Sequence, residues 1–85
     1  MHNETAVARQ WDAACAYELN RDVKSSDLTQ AEISERTGVS PSSLTRYIRG
    51  RRSIYAGDLA AILAVLGVDP REFVGRVDAR AKAQQ

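Results

Sequence analysis

The sequence predicts an all-α fold of five helices, and three observations predict it. No segment alternates apolar and polar residues with the period of two that a strand requires. Helix starts are spelled out in capping chemistry at Thr29, Ser40 and Asp69. Helix stops are spelled out as Gly38, Gly50 and Gly67, each placed where a glycine can close the preceding helical stretch.

The elements follow in order. Ala8, Trp11, Cys15 and Leu19 recur at spacings of three and four, which predicts a first helix over about residues 5–20, capped by Asn3 or Thr5. Residues 21–28 contain Ser-Ser-Asp and read as a loop, with Val23 and Leu28 as apolar anchors. Thr29-Gln30-Ala31-Glu32 is a capping box, in which hydroxyl and carboxylate each satisfy the other residue's backbone amide, so a second helix runs over 30–37. Ser40-Pro41 sets a capping hydroxyl before a proline at the first helical position and starts a third helix over 41–49. A fourth helix spans 56–66, and Asp69-Pro70-Arg71-Glu72 opens a fifth over 70–82. Ile33, Val39, Leu44, Ile48, Leu59, Ile62, Leu63, Leu66, Val68, Phe73 and Val77 supply one small core. The chain reads as a single domain over 1–85, with its centre at 28–75 and a short tail at 82–85.

Size and composition narrow the function. An 85-residue chain with 44% hydrophobic and 27% charged residues is an ordinary globular domain with no room for a large catalytic cleft. The apolar run Leu59–Val68 is half the length of a membrane span, and His2, Asn3 and Glu4 do not begin a signal peptide, so a cytoplasmic, non-membrane protein is expected. Cys15 is the one cysteine and His2 the one histidine, which excludes an internal disulfide, a zinc finger and a Ser-His-acid catalytic set. No cofactor, no metal and no enzymatic activity are expected. Trp11 and Cys15 read as core rather than as a stacking platform and a reactive thiol.

The net charge of +1 conceals an uneven distribution. Arg46, Arg49, Arg51 and Arg52 fall within seven residues that contain no acid. A solvated loop is the usual fate of such a run, but its place directly after the third helix points to an anion. Helices two and three are short and joined by Gly38-Val39-Ser40, the layout of a helix-turn-helix whose second helix enters the DNA major groove. Helical geometry turns Leu44, Tyr47 and Ile48 inward and leaves Pro41, Ser42, Thr45, Arg46 and Arg49 outside. Small polar residues at the start and arginines at the end allow close approach followed by donors of suitable reach.

The stretch LTQAEISERTGVSPSSLTRYIRGRR, followed by LAAILAVLGVDPREF, resembles the lambda-repressor-like, Cro-type (XRE-like) helix-turn-helix family. Leu28-Thr29-Gln30, Ala31, Ile33, Gly38-Val39-Ser40, Leu44, Tyr47-Ile48-Arg49-Gly50, Leu59, Ile62, Leu66-Gly67-Val68 and Phe73 carry the likeness. The resemblance implies a five-helix lambda-repressor-like domain that binds double-stranded DNA. It implies base reading by Ser42, Thr45 and Arg46, with Pro41 at the tip. It also implies phosphate contacts from Gln30, Arg49, Arg51 and Arg52. Thr29 and Ser40 are helix caps first and phosphate contacts second. Three departures stand out: the loop before helix two is long, Ile54 occupies a position often held by proline, and Pro41 replaces a polar residue that touches the first base in several relatives.

The resemblance favours a small Cro-like or immunity-type phage or bacterial repressor that acts by occupying its operator. An antitoxin that autorepresses its operon and binds a toxin is the alternative, and a helical protein-interaction module without DNA binding is a second. Pairing as a homodimer on a palindromic operator is expected, with weak association or a monomer in free solution. Val74, Val77 and Ala81 on the fifth helix, and Tyr17 on the first, are the candidate dimer surface. Tyr17 and Tyr55 each admit two readings, plain surface or helix start against a functional contact.

Overall fold

A computed structural model describes residues 4–83 and contains five α-helices and no strand among them. They are α1 (Glu4–Ser25), α2 (Gln30–Thr37), α3 (Pro41–Ile48), α4 (Ala56–Leu66) and α5 (Pro70–Ala83). The later starts are set by the residues that the caps specify. Thr29 Oγ1 accepts from the Glu32 amide at 3.1 Å, and Glu32 Oε1 accepts from the Thr29 amide at 3.0 Å. These bonds hold the Glu32 carboxyl below its ordinary range. Ser40 Oγ accepts from the Ser43 amide at 3.1 Å, ahead of Pro41 at the first position of α3. Asp69 Oδ1 accepts from the Arg71 amide at 2.8 Å at the start of α5.

Helix α1 departs from expectation. It begins by Glu4, so Thr5 lies inside it rather than capping it, and Asn3 lies outside the described residues. It continues five residues past Asn20, so the long loop expected over 21–28 shrinks to a short connection after Ser25. The extension has a physical cause: Leu19 and Val23, four residues apart, are both buried in the core, and Asp22 pairs with Arg76 of α5. Ser26 ends the helix by donating to the Val23 carbonyl at 2.8 Å and accepting from the Leu28 amide at 3.2 Å. Ala8, expected on the inward face, is exposed; the packed part of α1 begins with the partly buried Trp11 and Cys15. At the other end α5 reaches Ala83, so Lys82 and Ala83 belong to a helix and not to a tail.

The core joins all five helices through Leu19, Val23, Ile33, Leu44, Tyr47, Ile62, Leu63, Phe73 and Val77, with Val39 from the α2–α3 turn. Ile48, Leu59, Leu66 and Val68 pack against it and stay partly exposed. One charged side chain is buried among these groups. Glu18, 2% exposed, receives Arg76 Nη1 at 2.5 Å and Arg80 Nε at 2.7 Å. Burial alone would raise its carboxyl, but the bonds from Arg80 and Arg76 outweigh burial and hold it below the ordinary carboxylate value. Arg80 also lies over the Tyr17 ring, 3.5 Å from its centroid. Two residues of the expected dimer surface are corrected here. Val77 and Ala81 are 0% and 1% exposed, because the α5 face that carries them closes the core. Val74 and Tyr17 remain at the surface.

Candidate nucleic-acid interface

Three residues shape the turn between α2 and α3. Gly38 adopts φ 76°, and its amide donates to the Ser34 carbonyl at 2.9 Å. Thr37 Oγ1 donates to the Ile33 carbonyl at 2.7 Å and accepts from the Val39 amide at 3.2 Å. Val39 then drops into the core, which fixes the angle at which α3 leaves. Leu44 and Tyr47 are fully buried on the inner face of α3. Pro41, Ser42, Arg46 and Arg49 are exposed on the outer face, with Thr45 half-buried beside them. The structure thus brings the four expected base-reading residues onto one helix face, although Thr45 offers less of itself than its neighbours.

Of the residues expected at phosphates, Gln30 is the exposed first residue of α2. The Thr29 and Ser40 oxygens are occupied as acceptors in their caps, which leaves each hydroxyl proton free to donate. Beyond Ile48 the chain closes α3 with a paired motif: the Gly50 amide donates to the Tyr47 carbonyl at 3.1 Å and the Arg51 amide to the Arg46 carbonyl at 2.9 Å. Gly50 sits at φ 71°, and a Cβ there would come within 3.3 Å of the Ala16 Cβ of α1. The loop is tied to α1 a second time, where Ser53 Oγ donates to Asp12 Oδ2 at 2.7 Å. Arg49 and Arg51 are therefore carried on an ordered loop, both exposed.

Arg52 is the exception among the basic residues. Its guanidinium lies 4.8 Å from the Tyr55 ring centroid and 5.7 Å from that of Tyr47, and its Nη1 donates to Ser43 Oγ at 3.5 Å. Contact with Tyr55, partly offset by desolvation, holds it above the ordinary arginine value. Tyr47 is anchored in turn, its hydroxyl donating to Asp58 Oδ2 of α4 at 2.5 Å. Burial and then the Asp58 carboxylate raise the Tyr47 phenol above its ordinary value. Sequence reasoning missed Asp12, Ser43, Ser53 and Asp58 as supports of this face. The only available signal was the crowding of Tyr47, Arg52 and Tyr55 around one loop.

Among the described residues, no group of three or more His, Cys, Asp or Glu side chains is arranged to hold a metal ion. Among them, too, no helix is long and apolar enough to cross a membrane. An open, mostly apolar groove runs between α1 and α5, lined by Trp11, Pro70, Arg71, Val74, Gly75 and Asp78. The sequence profile of a family described as Helix-turn-helix matches residues 21–73, from the last turns of α1 into the first turn of α5. No curated protein and no solved structure gives a significant match.

Proposed function

Because the chain belongs to the Cro-type (XRE-like) helix-turn-helix family, whose members bind DNA and are typically non-enzymatic, we propose that it is a transcriptional regulator reading one operator sequence. In this reading it is a small repressor of the phage or immunity type that acts by occupying the operator. The observation that carries it is the continuity of the outer face of α3 with an ordered, acid-free arginine loop. Ser42, Thr45 and Arg46, with Pro41 at the tip, meet base edges in the major groove. Gln30, the Thr29 and Ser40 hydroxyls, Arg49 and Arg51 meet phosphates on either side of the groove. Arg46 suits a guanine, whose O6 and N7 accept a bidentate guanidinium, and the Thr45 methyl suits a thymine. Selection of bound duplexes from a random pool tests the reading. An enriched motif bound with steep salt dependence is expected; equal recovery of all sequences would overturn it.

One α3 covers too few base pairs to single out an operator, so recognition proceeds as a homodimer on an inverted repeat with half-sites ~34 Å apart. The α1–α5 groove supports a second copy as the occupant. Arg71, Val74, Gly75 and Asp78 form one helical stripe, and an antiparallel pairing about its centre sets Arg71 of each copy opposite Asp78 of the other. The exposed Val74 then packs over the small Gly75. The patch is small, so the free protein is a monomer or a weak dimer and pairs cooperatively on DNA. Sedimentation of the protein alone and on its operator tests this. Arg71→Asp should abolish the two-to-one complex, and adding Asp78→Arg should restore it. A one-to-one complex on a non-palindromic site would defeat the dimer.

A further inference from the structure

Tyr55 is 63% exposed, precedes α4, and makes no side-chain capping bond. Neither the core nor the helix start explains an aromatic residue there. What its ring does touch is Arg52. The guanidinium lies between an aromatic of α3 and an aromatic at the head of α4 while it reaches back to Ser43 in the first turn of α3. Tyr47 is itself immobilised by Asp58, so one side of this arrangement is rigid.

We propose that Arg52 is a positioning residue for DNA recognition: with Tyr55 it clamps the basic loop onto α3, and Arg49 and Arg51, not Arg52, meet the phosphates. The inference rests on the DNA-binding reading and assigns Arg52 a role different from that of its neighbours. A guanidinium suits the role because it is planar and can lie over rings while its N–H groups remain in use; a lysine ammonium cannot do both. The Ser43 contact falls beside Ser42, so the clamp holds the recognition helix and the phosphate loop in one fixed relation.

The experiment measures the affinity of the full chain for its selected duplex over a range of salt. Arg52→Ala should weaken binding roughly five- to tenfold. The slope of log affinity against log salt should stay at the wild-type value. Arg51→Ala should instead lower that slope by about one unit. Arg52→Lys, which keeps the charge, should fail to restore affinity. Tyr55→Leu should reproduce part of the loss, and the double variant should bind no worse than Arg52→Ala. In the free protein, the Arg52 δ-methylene protons should be shifted upfield by the tyrosine rings, and Tyr55→Leu should remove most of that shift. A slope reduced by one unit in Arg52→Ala, wild-type binding by Arg52→Lys, or an unshifted Arg52 resonance would each overturn the proposal. Loss of salt-dependent DNA binding in the wild-type chain would overturn the DNA-binding reading instead. The proton shift would still decide whether the clamp exists. If Arg52→Ala loses its helical circular dichroism, the Arg52→Lys and Tyr55→Leu variants carry the test.

Discussion

The α2–α3 face and the α1–α5 seam use arginine in opposite ways. On the seam, Arg76 and Arg80 converge on the buried Glu18 carboxylate, and Asp22 takes the other arm of Arg76. On the recognition face, Arg46, Arg49 and Arg51 are exposed and make no ion pair among the described residues. The first set is consumed in holding two helices together; the second is left available to an external anion. A net charge of +1 cannot distinguish the two, whereas the position of each acid can.

Mutations on the two sides should part accordingly. Glu18→Ala leaves Arg80 without a counter-charge, while Arg76 keeps Asp22. Both arginine side chains are partly exposed, at 23% and 32%, so the expected loss is about 3 kcal/mol, near the lower end for a broken buried pair. Urea unfolding should show that loss, while the salt slope of DNA binding by the folded fraction stays put. A change in slope would mean that the seam and the recognition face are electrically coupled.

Arg46→Ala should do the reverse, with unfolding unchanged and cognate affinity lower by roughly 1–3 kcal/mol. Preference at one base pair should relax. Equal losses on cognate and random duplexes would show Arg46 to be a phosphate contact only.

Gly50 joins the two regions, and Gly50→Ala should cost about 1–2 kcal/mol because an alanine there must adopt the left-handed conformation. It must also crowd Ala16. Thermal unfolding and DNA affinity should both respond, unlike for either variant above. A change in only one of them would show that the loop is not shared.

The mildest probe is acid. Glu18 has a folded-state value below its unfolded one, so its contribution is fully present above the ordinary glutamate range. The contribution is lost as pH falls through the lowered folded value. Wild-type stability should therefore drop across that acidic window, and Glu18→Gln should flatten the drop. A parallel decline in both proteins would place the titrating group elsewhere.

Local chemistry made most of this architecture legible. The Thr29–Glu32 box, the Ser40-Pro41 pair and the closing glycines act over six residues or fewer, so they can be read without any tertiary contact. The outward placement of Ser42 and Arg46 follows from helical geometry once the buried Leu44 and Tyr47 are recognised. The length of α1 was not legible: Ser26 and Asp27 do form the connection, but residues 21–25 stay helical where Arg76, more than fifty residues away in sequence, claims Glu18 and Asp22. The burial of Glu18 has no local signal for the same reason. The engagement of Arg52 was hidden similarly: a run of arginines looks uniform, and only the aromatic rings around one member separate it from the rest.

The double attachment of the loop to α1, through Gly50 against Ala16 and Ser53 to Asp12, bears on the kinetics of encounter. A flexible basic arm must give up conformational freedom as it lands, and that ordering subtracts from the affinity. Here the arginine backbone is already folded, so association approaches a rigid-body collision guided by the local positive field. Differences in affinity between DNA sequences are then expected in how long the complex survives, with the rate at which it forms varying little from one site to the next.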